Sequence, residues 1–208
     1  MPLVRKTPES QAAPSLDADA VAGALENGSE DERWAAARKA PELPEGARLL
    51  GKALLQEADA RVREAILTSL ARIATTESVE AVIPLLRSDD ARLRTGSLDA
   101  LRAMKEAAWP FVPQLLGDRD ADVRLLACEL ARDQPGEEAS RLLCGLLDTE
   151  TEPNVCASAV EVLAETGGAE ALPALERCRE RFKGTPFLEY AIKITADRIR
   201  SQTTAKRA

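Results

Sequence analysis

Apolar residues along this chain fall into a repeating pattern of amphipathic helices. Five stretches align on the positions Glu32, Val62, Leu93, Val123 and Val155, which are separated by 30, 31, 30 and 32 residues. With the anchor as position zero, position +4 holds Ala36, Ile66, Ser97, Ala127 and Ala159. Position +8 holds Ala40, Leu70, Leu101, Ala131 and Leu163. Positions 0, +4, +7 and +8 share one face of a helix, so each stretch predicts a helix with one buried side. Small residues at +3 and +4, such as Ala65, Gly96 and Ser97, allow neighbouring helix axes to approach. A constant step of this size indicates stacked supersecondary units.

Each first helix carries a start signal. Asp59, Asp90 and Asp120 lie three residues before their anchors, with Ser29 and Glu152 in the equivalent places of the outer units. An oxygen there accepts from free backbone N–H groups and meets the positive end of the helix. Second helices are predicted over 79–87, 109–116, 137–147 and 169–177. Pro41 and Pro44, Thr75-Thr76, Gln134-Pro135-Gly136 and Gly167-Gly168 mark the breaks between paired helices. Pro84, Pro113 and Pro173 are read as lying in the first turns of second helices, where proline is tolerated.

These motifs, Asp-x-x-Val-Arg followed by Ala-Val-Ile-Pro-Leu-Leu or Ala-Leu-Pro-Ala-Leu, resemble HEAT-like repeats of the phycobilisome-lyase type over roughly residues 16–178. The resemblance implies an all-α, right-handed α–α superhelix of about five helix pairs, with second helices on the concave side. The expected organisation is a disordered segment over 1–15, a solenoid over 16–200 and a flexible tail over 201–208. Residues 16–27 are expected to complete the first pair. A capping helix is expected over 186–200, with Phe187, Leu188, Ala191, Ile192, Thr195 and Ile199 as its apolar stripe, because a solenoid must cover its last open face.

Composition narrows the function. Hydrophobic residues make up 45% of the chain and aromatics only 3%, which suits close-packed Ala/Leu helices. The net charge of −7 disfavours nucleic acid as a partner. No apolar run is long enough for a membrane span, and no secretory signal is expected. The chain contains no histidine, the commonest general base and metal ligand. That closes the His-Glu metal chemistry used by HEAT-like hydroxylases. The acidic balance also argues against a DNA glycosylase of this repeat type. Cys128, Cys144, Cys156 and Cys178 have no Cys-x-x-Cys spacing, so reduced structural thiols in a cytoplasmic protein are expected. Cys128, Cys144 and Cys156 lie on successive helices and leave a thiol cluster open.

Two groups of residues are candidates for function. Arg63, Arg94 and Arg124, together with Arg33, sit one residue after their anchors. They are expected to form a ladder with Asp59, Asp90 and Asp120, ending where Cys156 replaces arginine. The alternative is a basic stripe for an anionic ligand. Glu80, Arg87, Trp109, Phe111, Gln114 and Arg141 on second helices form the candidate concave binding face. For Trp109 and Phe111 the competing reading is a packing plug, and for the others a solvated surface. Trp34 is expected to be partly exposed or covered by the N-terminal segment. No phosphate loop, nucleophile elbow or metal motif is present. The chain therefore reads as a non-catalytic scaffold or adaptor without cofactor. It is expected to be monomeric and to bind a protein partner in a bacterial regulatory or assembly pathway. The alternative is a bilin lyase-like or other enzyme-associated subunit.

Overall fold

The computed structural model describes residues 17–132 and 137–205, and all secondary structure among them is helical. The predicted first helices are α2 (Glu30–Lys39), α4 (Ala60–Ile73), α6 (Ala91–Ala103), α9 (Ala121–Arg132) and α11 (Pro153–Thr166). Their partners are α3 (Gly46–Leu54), α5 (Thr76–Val82), α7 (Lys105–Ala108) with α8 (Val112–Leu116), α10 (Glu137–Thr149) and α12 (Leu172–Arg181). Five pairs stack in order into an α–α superhelix. First helices pack on first helices, and among second helices α3 packs on α5, α5 on α7 and α10 on α12.

The repeat positions explain the stacking. Every residue at +4 and +8 is buried, and Leu70, Ala127, Ala131, Ala159, Leu101 and Leu163 are fully so. The largest fully buried side chains, including Leu50, Ile66, Leu86, Leu143, Leu147 and Leu175, come from both helical layers. The core is therefore a continuous seam between layers and repeats. No single pair owns it.

The two ends are half-repeats. Helix α1 (Ala18–Asn27) packs on α2 and α3, outside the first pair. The expectation that 16–27 completes that pair is corrected: α2 pairs with α3 across the break at Pro41 and Pro44. Helix α13 (Pro186–Ala205) packs on α11 and α12. Its Leu188, Ile192 and Ala196 are buried at positions 0, +4 and +8 of a sixth repeat, with Thr195 beside them. It is thus a lone first helix used as a cap. It continues through Ala205, so the tail expected from 201 is helical at its start. Phe187 is 51% exposed, contrary to its assignment to the buried stripe, because the inward register is set by Leu188. The expected disordered segment and the turn Gln134-Pro135-Gly136 lie outside the described residues.

Prolines shape the second layer. Thr75 caps α5 by accepting from the Ser78 N–H at 3.3 Å. Pro84 then ends it, and the chain tightens into a 3-10 turn over Ile83–Arg87. Pro84 therefore lies past the first turns, unlike Pro113 and Pro173, which open α8 and α12. A proline lacks the N–H that an interior turn requires, so the tighter turn is the accommodation.

Two substitutions with opposite backbone logic test this description. Ala74 ends α4 in the left-handed region, with φ of 52°. Glycine removes that strain, so Ala74→Gly is expected to raise stability by roughly 0.5–1 kcal/mol. Gly145 sits exposed inside α10, and a Cβ added there would meet nothing within 4 Å. Gly145→Ala is expected to raise stability by about 0.5–1 kcal/mol through helix propensity. Urea unfolding followed by circular dichroism reads both; a loss at either position contradicts the backbone assignment there.

Candidate functional site

The arginine row forms clamps between repeats, with partners that differ from the expected ones. Arg124 Nε and a terminal nitrogen donate to Glu150 at 2.6 and 2.9 Å, and its other terminal nitrogen donates to the Asp118 carbonyl at 2.9 Å. Arg33 repeats the arrangement, donating to Glu57 at 2.7 and 3.1 Å and to the Gly28 carbonyl at 2.9 Å. Arg94 donates to the Ser88 carbonyl at 2.5 Å. Each of these three guanidiniums thus binds a carbonyl at the end of the preceding helix, and two of them also bridge to the next repeat. Arg63 alone meets an expected aspartate, Asp90, at 3.6 Å. Asp59, Asp90 and Asp120 serve instead as caps, accepting from Val62, Arg92 and Asp122 N–H groups respectively at 2.9 Å. The Asp–Arg ladder is therefore corrected to caps at −3 and clamp partners at −5.

The clamp carboxylates are desolvated. Burial raises the Glu150 pKa, but hydrogen bonds from Arg124 and from the Glu152 and Thr151 backbones outweigh it and hold it below the ordinary value. Glu57 behaves alike: burial raises it, and Arg33 with the Asp59 N–H brings it down. At the last repeat Cys156 takes the arginine's place, as the row predicts. Arg181 of α12 takes over the carbonyl contact, donating to Leu147 and to Asp148 at 3.2 Å.

The cysteines are packing groups. Cys128, Cys156 and Cys178 are fully buried, and Cys144 is partly so. All four are free thiols. Burial pushes the Cys128 thiol up to about 12. The Cys156 thiol is raised by its hydrogen-bonded neighbour Cys178 and by burial. Cys156 therefore has Cys178 as its neighbouring thiol. The structure gives no sign of the successive-helix cluster, and no group of three or more metal-ligating side chains forms among the described residues.

None of the six second-helix candidates lines the cavities between α1 and α3, α2 and α4, or α4 and α6. Glu80, Gln114 and Arg141 are exposed on α5, α8 and α10. Arg87 is paired with Asp118 of the next repeat. Trp109 and Phe111 are partly buried against the core, as the plug reading expects.

A groove lies instead on the other layer. Between α4 and α6 a cavity of about 750 Å³ has Leu67, Ala71, Leu93, Gly96, Ala100 and Ala103 as its apolar lining. Arg61, Arg63, Glu64, Asp90, Arg92 and Asp99 rim it. Arg61, Glu64 and Thr68 also line a second cavity of about 360 Å³ between α2 and α4, with Trp34, Arg38 and Arg72. The two lie on either side of these exposed α4 residues and together form a trough that spans three first helices. Its cause is side-chain size. Gly96 (+3) and Ala100 (+7) stand where the fourth repeat has Leu126 and Leu130. A Cβ on Gly96 would meet Leu67 Cδ1 at 3.3 Å, so the helices are close there and the space opens alongside. The seam between α9 and α11 is closed differently. Arg132 there meets Glu129 at 3.1 Å, Glu161 at 3.8 Å and Glu165.

Trp34 marks one end of the trough. The guanidinium carbons of Arg38 and Arg61 lie over its ring at 4.6 and 4.8 Å from the centroid. Arg61 also pairs with Glu30 at 3.2 Å and Asp31 at 2.8 Å. Trp34 is partly exposed, as expected. The sequence signal for the trough is Gly96 with its small neighbours, which taken alone indicate only close packing.

The clamps supply a stability test. Glu150→Ala leaves a largely buried guanidinium without its carboxylate, with only the Asp118 carbonyl still accepting from it, and is expected to cost about 3 kcal/mol by denaturant unfolding. Because the Glu57 and Glu150 pKa values are lowered on folding, their contribution is present above the ordinary glutamate value and lost as pH falls through the folded one. Stability therefore declines with acidification below about pH 4.5, the ordinary value. Glu150→Gln flattens that decline; an unchanged acid limb contradicts the assignment.

Comparison with known proteins agrees with the repeat architecture. The pattern of the HEAT repeats family matches residues 47–109 and 108–181. An archaeal HEAT-like repeats protein from Thermococcus onnurineus NA1 is 16% identical, with a TM-score of 0.51 over 87% of this chain and 86% of that one. A designed armadillo repeat protein is 18% identical, with a TM-score of 0.43 over 86% of this chain and 98% of that one. An engineered protein is 20% identical, with a TM-score of 0.44 over 87% of this chain and 95% of that one. No curated protein matches. Matched over more than half its length by the family pattern, and stacked as that pattern requires, the chain belongs to the HEAT repeat family.

Proposed function

We propose that the chain is a non-catalytic adaptor that holds a partner protein on its solenoid surface. The observation that carries this reading is the trough over α2, α4 and α6, with its apolar lining and charged rim. A preformed concavity of this kind offers a partner apolar burial together with charge contacts that select it. HEAT repeats commonly serve as interaction scaffolds, and the family's typical role supports the reading. The likeness of the Asp-x-x-Val-Arg motifs to phycobilisome-lyase-type repeats favours a bacterial regulatory or assembly setting. Four free thiols fit a reducing, cytoplasmic compartment. No helix among the described residues is long and apolar enough to cross a membrane.

Site-specific photo-crosslinking in cells tests the reading. A photoreactive residue at Thr68 or Asp99 in the trough is expected to yield a discrete crosslinked protein. The same residue at Glu180 on α12 gives none. Positions Glu80 and Gln114 on the second layer form the comparison set. Absence of a discrete crosslink from every position on both layers rejects the adaptor reading.

A further inference from the structure

We propose that the trough takes an acidic peptide segment of the partner, with carboxylates on its flanks and one or two aliphatic side chains on the Leu67–Ala100 lining. This inference rests on the adaptor reading and specifies the chemistry of its ligand. Charge is the first argument. The chain as a whole carries −7. Around the trough, however, Arg61 is paired with Glu30 and Asp31 and Arg63 with Asp90, while Arg38, Arg72 and Arg92 have no ion-pair partner among the described residues and only Glu64 and Asp99 remain beside them. A local excess of positive charge on an acidic molecule selects an acidic partner and steers it to this face.

Register is the second argument. Arg61 stands one residue before its anchor and reaches back to Glu30 and Asp31 of the preceding repeat. Arg92 stands at the same register one repeat later. The residues equivalent to Glu30 and Asp31 are then Ala60 and Arg61. So the rung that neutralises Arg61 is missing for Arg92, and a second arginine stands in its place. Arg72 and Arg92 make no ion pair with another described residue. A carboxylate on a bound segment would occupy the rung between Arg61 and Arg92, as Asp31 does for Arg61.

Shape is the third. Helix α4 has 14 residues, or about 21 Å of length. An extended segment of about six residues spans the same distance. The lining is aliphatic, which suits Leu, Val or Ala. A nucleic acid strand fits less well, since Glu64, Asp90 and Asp99 would oppose its phosphates and Trp34 is the one aromatic along the trough.

The experiment uses the purified full chain and a fluorescein-labelled peptide of about ten residues with Leu interleaved among Glu and Asp. Anisotropy is measured beside its Lys-for-Glu counterpart and a single-stranded oligonucleotide. Saturable binding of the acidic peptide is expected, weakening with salt. A Trp emission change that Trp34→Phe removes is also expected. The double variant Arg72→Glu/Arg92→Glu, confirmed folded by its melting curve, is expected to bind about tenfold more weakly or worse. Arg179→Glu on α12 leaves binding unchanged. Equal binding of the basic peptide, tighter binding of the oligonucleotide, no binding of the acidic peptide, or unaltered affinity of the double variant overturns the inference. If crosslinks from Thr68 persist in any of these cases, the adaptor reading stands and only the acidic chemistry falls. If they are absent from all positions, both fall.

Discussion

No helix pair in this chain can bury its own apolar stripe. Helices α4 and α5 shelter Ile66 and Leu70 only because α3 and α6 lie on either side. That constraint dictates the regular period, the small residues at +4 and the half-repeats at both ends. It also explains why polar bridges run from one repeat to the next. A desolvated Arg124–Glu150 pair fixes the register of neighbours that share a greasy, poorly directional seam. Its geometry is demanding where apolar contact is not.

The same constraint locates the proposed binding surface. Residues at +4 and +8 are consumed by stacking, so variation is free only elsewhere. At +3 and +7 the third repeat has Gly96 and Ala100, and the result is a concavity between helices that still touch. The fourth and fifth repeats spend those positions on Leu126, Leu130, Ser158 and Val162, and Arg132 closes the seam with three carboxylates. Neighbouring units of one fold therefore differ in what they present, through changes that leave the shared core intact.

Much of the fold is legible in residue spacing because +4 and +8 report burial directly. The cap is only partly legible. Leu188, Ile192 and Ala196 continue the anchor pattern after Val155, yet aromatic Phe187 and Tyr190 draw the stripe one residue out of register. The clamps are half legible. Arginine at +1 is clear, but carboxylates occur at both −3 and −5, and a linear pattern does not say which one caps and which one bridges. The trough is least legible. Gly96 and Ala100 signal missing volume, and whether missing volume becomes contact or space depends on how neighbouring axes diverge. That is a property of two helices together.

The proline breaks give the two layers unequal continuity. First helices such as α4 and α11 run unbroken for 14 residues. The second layer is interrupted at Ile83–Arg87 and Trp109–Phe111, where Pro84 and Pro110 withhold a donor from the turn behind them. Bending the array therefore shortens or lengthens the jointed row while the continuous row acts as a spine. A ligand held as proposed on the unbroken row would lie on helices whose backbone hydrogen bonding is continuous.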